Sequence, residues 1–406
     1  MTVDSSRTRA WIVWFLASSF YAYQYVLRVL PNIMMPDIMQ KFSMDAKVFG
    51  QMSGLYYLGY ALMHIPIGLL LDRVGPRMIM AASAVLTICG VLPLLYTDIW
   101  YYPLIGRFMV GMGSSGAILG VFKVIRMGFP EERFTSMLGL SVTIGLIGAI
   151  YGGQPVNYLM ATFGWEQVLT IICLAGLIMA AGMLILIPSI QPSASADSNV
   201  WQDIKSVLGN RSVVIICLCA GLMVGPLEGF ADVWGTEFLK AYYGYSDAIS
   251  ATIPSMIFFG MCFGATILSW IADKTQAHFR VIIGAGLVMT VGFVLLLSGL
   301  MSQWMMTSGM VIIGIACAYQ IPAIYKASTY VKEEVVSLTV ACANMIIMIF
   351  GYVFHGSIGA VMSSLWQGTM RNGYPVYAGE TFVAALSLIP IGLMLGTIGF
   401  LVVRRR

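Results

Sequence analysis

Two opposite charges stand deep inside long apolar runs of this chain: Arg28 within 11–35 and Glu228 within 212–239. A charge at the middle of a membrane-spanning helix costs roughly 2.5–3.5 kcal/mol even on a lenient insertion scale, so its retention marks function. Along the first run Tyr21, Gln24, Tyr25 and Arg28 recur at i, i+3, i+4 and i+7, which gathers them on one helix face. The guanidinium there offers a planar fork of donors suited to a carboxylate or a phosphate. Glu228 shares a helical face with Gly221, Gly225 and Asp232. One cation and one anion suit a zwitterion or a singly charged acid, or else Glu228 carries a proton whose binding changes with substrate. The same two charges could instead form a static pair, with Arg28 also bonded to backbone carbonyls. Asp232 is a second, weaker candidate for proton binding, or it caps or faces an outer vestibule.

Further polar side chains lie within apolar runs. Tyr56, Tyr60 and His64 follow one another at i, i+4 and i+8; the tyrosines can line a cavity, and His64 is either a proton carrier or hydrogen-bonded structure. Ser114 and Ser115, Gln154, Asn157, Tyr319, Gln320, Asn344 and His355 are each placed to reach a cavity. Lys123 and Lys326 stand near the ends of their runs, where lysine snorkels to the interface or gates an exit. The seven cysteines all fall in apolar runs without metal-ligand spacing and read as small buried hydrophobes; the 29 methionines read as core filler and lipid contact. No metal or cofactor is expected. No His-Glu-x-x-His, Gly-x-Ser-x-Gly or phosphate-binding glycine loop is present, so neither an enzyme nor an ATP-driven pump is expected.

The elements that must position these groups follow from composition. Of 406 residues, 59% are hydrophobic and only 10% charged, against about 25% charge in a soluble domain. A helix crosses the hydrocarbon with about 20 apolar residues, and the chain supplies about twelve such runs. They are 11–35, 48–71, 77–96, 101–125, 134–157, 167–189, 212–239, 250–271, 280–300, 304–326, 335–362 and 380–403. Barrel strands would alternate apolar and polar residues over about ten positions, and these runs do not. The expected fold is an all-α integral membrane protein of twelve transmembrane helices. The first run is too long for a cleaved signal peptide, carries Arg28 and lacks a small-residue cleavage site.

Asp273 follows Asp72 at the same distance, about 200 positions, that separates Glu228 from Arg28, the mark of an internal repeat. Lys123 before Glu131 and Lys326 before Glu333 extend the match. The expected division is a six-helix bundle over 1–190, a linker over 191–211 whose Ser/Pro/Asp-rich part, 192–198, cannot fold alone, and a second bundle over 212–406. Repeats of this kind place a substrate near the bilayer midplane between halves that rock about it. Prolines 31, 155, 226 and 322 should bend their helices. With the N-terminus inside, about sixteen of the 22 basic residues fall on one face, so both termini are expected in the cytoplasm of a bacterial inner-membrane protein. The expected partners are a small solute, protons and the bilayer, with no nucleic acid, for a monomer.

At the first cytoplasmic hairpin the sequence reads Gly68-Leu-Leu-Leu-Asp72-Arg73-Val-Gly75-Pro76-Arg77. Gly68 would permit close helix approach, Asp72 would accept from a neighbouring helix N-terminus, and Gly75 would permit the turn. This stretch resembles the signature loop of the major facilitator superfamily, and the second half carries a copy, Ser269-Trp-Ile-Ala-Asp273-Lys274, with serine for the glycine. By that resemblance Gly68, Asp72, Arg73, Gly75, Arg77, Asp273 and Lys274 belong to a conformational gate. Arg107-Phe-Met-Val-Gly111-Met-Gly113 resembles the superfamily's second motif, whose arginine is tied to proton coupling. Gly148-Ala-Ile-Tyr-Gly152-Gly153-Gln-Pro155 matches the antiporter motif only in part and serves helix packing equally well. The stretch from Tyr21 to Arg28 is similar to the first helix of organophosphate and hexuronate permeases, where an arginine meets the substrate anion. Phosphate-recognising relatives carry a second arginine where Glu228 stands, which turns the expectation toward an amino acid, short peptide or similar zwitterion. A sugar acid, carboxylate chelate or organophosphate is the alternative, and a transporter-like solute receptor is the alternative of another class.

Overall fold

A run of apolar residues in lipid finds no water for its peptide groups, so each run closes its hydrogen bonds within itself as a helix. The computed structural model describes residues 2–189, 200–371 and 373–404. The 192–198 stretch, Arg405 and Arg406 lie outside the described residues. The first half holds α1 (Thr2–Phe42), α2 (Ala46–Arg73), α3 (Pro76–Tyr96), α4 (Tyr101–Gly128), α5 (Phe134–Gly152), α6 (Gln154–Phe163) and α7 (Trp165–Leu186). The second opens with α8 (Val200–Gly209) and α9 (Arg211–Gly221), followed by a π-helical stretch, Gly225–Trp234, and α10 (Gly235–Tyr243). It continues through α11 (Asp247–Thr275), α12 (His278–Leu297), α13 (Gln303–Cys317), α14 (Gln320–Ser328) and α15 (Val336–Ser364). A short hairpin, β1 (Met370–Arg371) and β2 (Tyr374–Pro375), precedes α16 (Gly379–Leu386) and α17 (Leu388–Arg404).

Among the described residues, eleven spans are long and apolar enough to cross a membrane. Helix α1 is not one of the eleven; Tyr21, Gln24, Tyr25 and Arg28 dilute its apolar run. The helical membrane fold expected from the sequence is present, with local departures. The hairpin pairs Met370 with Pro375 and Arg371 with Tyr374, a small exception to an all-helical chain. Part of the expected linker is the helix α8, whose Val200, Ile204, Val207 and Leu208 recur at helical spacing; Val207 is fully buried and α8 packs on α15. The fifth run breaks at Gly153, just before Pro155, and resumes as α6 to Phe163.

Two compact units emerge: Met1–Arg28 with Leu58–Asp197, and Val29–Tyr57 with Ser198–Arg406. The division therefore departs from the expected cut at the linker. The reason is local packing. Gly50 and Gly359 have no side chain where α2 meets α15, so Gly50 lies against the His355 carbonyl and Gly359 against that of Ala46. At the start of α2, Ser363 Oγ accepts from the Lys47 N–H at 2.9 Å and donates to Asp45 Oδ2 at 3.0 Å, while Tyr377 Oη accepts from the Ala46 N–H at 2.9 Å.

Candidate functional site

In the first unit the polar face of α1 is held by α5. Trp14 Nε1 and Ser18 Oγ both donate to Ser141 Oγ, at 2.8 and 2.9 Å. Higher on α5, a Cβ at Gly145 would stand 2.6 Å from the Tyr21 ring, and Gly148 lies against the Ala22 carbonyl. These small residues let α1 and α5 approach closely, so Gly148, the first glycine of the partial antiporter pattern, serves packing here. Tyr21 and Tyr25 meet edge to face with ring centroids 5.2 Å apart. The Arg28 guanidinium lies 5.3 Å from the Tyr25 ring centroid, within cation–π range. Arg28 is 7% exposed and Gln24 2%. Tyr21, Gln24 and Arg28, all buried, and the half-buried Tyr25 thus form one band of phenol, amide and guanidinium.

Arg107 fixes the backbone beneath that band. Its Nη1 donates to the Leu27 carbonyl at 2.7 Å and its Nη2 to the Arg28 carbonyl at 3.3 Å. In an α-helix the Leu27 carbonyl would accept from residue 31, but Pro31 has no N–H and its ring crowds that oxygen. A buried carbonyl without a donor is costly, and the arginine of α4 supplies one. The arginine of the second motif is placed on the α1 backbone one turn before Pro31. His64 stacks near Tyr60 with centroids 5.3 Å apart. Among the described residues, His64 Nδ1 and Ser114 Oγ are buried without a hydrogen-bond partner, while Ser115 donates to the Met112 carbonyl at 2.7 Å.

In the second unit Glu228 and Asp232 lie on the π-helical stretch, 1% and 0% exposed. Pro226 removes one rung of the ladder, and the chain winds wider, with i→i+5 bonds such as Gly235 N–H to the Phe230 carbonyl. The line through Gly221, Gly225, Glu228 and Asp232 assumed one α-helical phase; the break over residues 222–224 and the π winding interrupt that phase. Asn32 of α1 inserts at the junction with α10: its Nδ2 donates to the Ala231 carbonyl at 3.1 Å and its Oδ1 accepts from the Thr236 N–H at 3.0 Å. A side chain in the ladder is a recognised cause of helix distortion.

Tyr57 donates its hydroxyl to Asp232 Oδ2 and lies 3.4 Å from the Glu228 backbone carbonyl. Its ring faces His355 at 5.4 Å, and Trp234 Nε1 donates to His355 Nδ1 at 3.1 Å. Tyr56 packs edge-on against Tyr57 at 5.3 Å. Tyr319, at the break between α13 and α14, donates to the Ala220 carbonyl at 2.6 Å and so ties the two helix breaks of this unit together. Gln320 begins α14 with its Nε2 buried and unpartnered among the described residues, and Asn344 is half-buried on α15. Tyr57, Trp234 and Asn32 were not singled out from the sequence. Asn32 had a legible signal, one turn beyond Arg28 in an apolar run, whereas Tyr57 is masked by the Tyr56–Tyr60–His64 spacing beside it.

Two bundles of broken and kinked apolar helices with buried charge are the architecture of a solute carrier. The family model described as Major Facilitator Superfamily matches residues 14–354. The chain belongs to the major facilitator superfamily. It is 22% identical over 372 residues to a putative tartrate transporter of Agrobacterium vitis, covering 84% of each chain. It is 23% identical to the chloramphenicol resistance protein CraA of Acinetobacter baumannii, covering 77% of this chain and 76% of that one. In fold it is similar to the crystal structure of the nucleoside transporter NupG (D323A mutant), with a TM-score of 0.78, 13% identity, and 96% and 99% coverage. Superfamily members are transporters and not enzymes, so this chain is a multi-pass membrane transporter of a small molecule.

The superfamily's signature loop has one expected feature in place and two that differ. Gly75 precedes α3 at φ 91° and ψ 162°, a conformation that glycine alone adopts readily. Asp72 Oδ1 pairs with Lys123 Nζ of α4 at 2.7 Å, and among the described residues no helix cap by Asp72 is present. Close approach at Gly68 is also absent, since a Cβ there would meet only Leu119 Cδ1 at 4.0 Å. Arg73 is exposed, and Arg77 is half-buried with Nε unpartnered among the described residues. In the second copy Asp273, its side chain 75% exposed, lies 3.6 Å from His278 Nε2, and Lys274 sits over the Trp270 ring at 4.8 Å.

Proposed function

We propose that this transporter carries a small hydroxylated organic acid by alternating access, coupled to protons and acting as a monomer. The observation that carries the reading is the buried band on α1, in which Arg28 stands beside two phenols and an amide. A guanidinium grips a carboxylate, and phenol and amide groups exchange hydrogen bonds with hydroxyls. The likeness to a putative tartrate transporter over 84% of the chain supports that class. A dicarboxylate brings two negative charges to one guanidinium, and a proton taken up with it offsets the second. Glu228 and Asp232 are the groups proposed to bind that proton. Arg107 then serves as a positioning residue that keeps the Arg28 turn in place, with His64, Tyr56, Tyr60, Ser114, Gln320 and Asn344 as further contacts.

Alternation also has a physical handle. The ends of α1 and α2 beyond Arg28 pack with the π-helical stretch and α15 through Asn32, Tyr57 and Gly50. On the orientation expected from the basic residues, this packing is the outer closure and must part when the site opens outward. The second reading is the zwitterion, favoured by two buried carboxylates on the helix expected opposite Arg28.

The test is a ligand-induced thermal shift on purified protein, because a specific ligand raises stability by RT ln(1 + [L]/Kd). The panel holds tartrate, sugar acids, amino acids, dipeptides and sugar phosphates at an acidic and a neutral pH, with Arg28→Ala and Glu228→Gln alongside. Stabilisation by hydroxy acids that vanishes in Arg28→Ala supports the reading. Stabilisation by amino acids that also vanishes in Glu228→Gln promotes the zwitterion, and no response to any carboxylate overturns both.

A further inference from the structure

Away from the buried charges, the second unit holds a cavity of about 320 Å³ at the end that the basic residues assign to the cytoplasm. Its wall gathers three cationic side chains, Arg280 of α12, Lys326 of α14 and Arg404 of α17, together with the His278 imidazole. A positive-inside distribution accounts for basic residues on this face. It does not require them to converge on one cavity.

The placement on α12 is the second observation. This 20-residue helix begins at His278 with no side-chain cap and no acidic residue in its first turn. Its N-terminus carries the positive end of the helix dipole, where carboxylates are favoured and cations are disfavoured. Here the first turn carries Arg280 instead. Such an arrangement is stabilised when an anion occupies the cavity at the helix N-terminus. Asp273 lies 3.6 Å from His278 but does not line the cavity.

The surroundings indicate where the anion comes from. Lys326, which lines the cavity, has its Nζ over the Phe279 and Tyr330 rings, at 5.4 and 5.8 Å from their centroids. Trp270, Tyr325 and Tyr330 are exposed around it, as aromatic residues are at the headgroup level of a membrane. Tyr330, against which Lys326 rests, also lines a second cavity of about 420 Å³, together with Arg211, Ser212, Ile215, Gly399, Val402 and Val403. A charged cavity beside an apolar slot matches a phosphate with an acyl chain attached.

We infer that the cavity formed by His278, Arg280, Lys326 and Arg404 binds a phosphate-bearing anion, supplied by an anionic phospholipid of the inner leaflet. Basic pockets between transmembrane helices on this side are suited to such headgroups. The site is separate from the solute site and does not depend on which solute is carried.

Native mass spectrometry of the purified protein with an equimolar mixture of phosphatidylglycerol and phosphatidylcholine tests this. Wild type is expected to retain phosphatidylglycerol preferentially, and the Arg280→Gln, Lys326→Gln double variant to lose about tenfold or more of that preference. Arg126→Gln, which removes a basic side chain on α4, should keep it. The charge-conserving pair Arg280→Lys, Lys326→Arg should also keep it, which separates lost charge from lost folding. In a parallel arm inorganic phosphate is added in a thermal-shift assay. Stabilisation by phosphate in wild type but not in the double variant, without lipid preference, supports the anion site with a soluble source. Equal lipid retention in wild type and double variant, together with no phosphate effect, overturns the proposal.

Discussion

Arg107 and Leu27 are joined by a 2.7 Å hydrogen bond from the guanidinium Nη1 to the backbone carbonyl, at the turn where Pro31 supplies no N–H. The bond ties α4 to the turn of α1 before Pro31 and fixes the backbone that carries Arg28.

Arg107→Gln should therefore destabilise the protein by about 1.5–3 kcal/mol, the scale of a hydrogen bond to a charged group. Pro31→Ala returns an N–H to the Leu27 carbonyl, so Arg107→Gln should cost less than half as much in that background. Thermal denaturation of the four proteins of this cycle in detergent reads the coupling. Additive losses would show that Arg107 acts elsewhere.

The Tyr57 hydroxyl and the buried Asp232 carboxylate form a second unit of this kind. Tyr57→Phe should cost about 1–3 kcal/mol, because it withdraws a donor from a buried charge. Asp232→Asn keeps an acceptor and should cost less. In a background without native cysteines, a cysteine replacing the fully buried Ser53 should react faster with an impermeant thiol reagent once Tyr57 is Phe.

The Lys123–Asp72 pair predicts the opposite balance. Its side chains are 31% and 59% exposed, so Lys123→Gln should change stability by less than about 1 kcal/mol. If the signature loop acts as a gate, the same variant should slow transport measurably at unchanged Tm. A large drop in Tm would mark the pair as structural.

Two glycines of α5 separate packing from function. A methyl at Gly148 runs into the Ala22 backbone, and Gly148→Ala should cost about 1–3 kcal/mol as overpacking does. A methyl at Gly145 meets the Tyr21 and Tyr25 rings nearest, side chains of the polar face rather than backbone. Gly145→Ala should raise KM for the solute more than it lowers stability.

The membrane fold was legible because a helix in lipid must carry about 20 apolar residues whatever else it does. The polar face of α1 was legible too, since α1 keeps α-helical spacing from Tyr21 to Arg28. The second half was less so. A π winding changes the residues per turn without a fixed sequence signature, so the face through Glu228 and Asp232 could not be phased from Pro226 alone. The partners of Asp72 and Asp232 were hidden for another reason: Lys123 and Tyr57 lie 51 and 175 positions away, and only packing brings them near. The junction at Val29, where the chain passes from one compact unit to the other within α1, has no compositional mark at all.

Uptake of radiolabelled tartrate into proteoliposomes under an imposed pH gradient tests the central claim most directly. The account predicts accumulation when the outside is acidic, loss of it when the gradient is collapsed, and loss of transport in Arg28→Ala. Gradient-independent movement would contradict the coupling, and unchanged uptake in Arg28→Ala would contradict the role given to the buried band of α1.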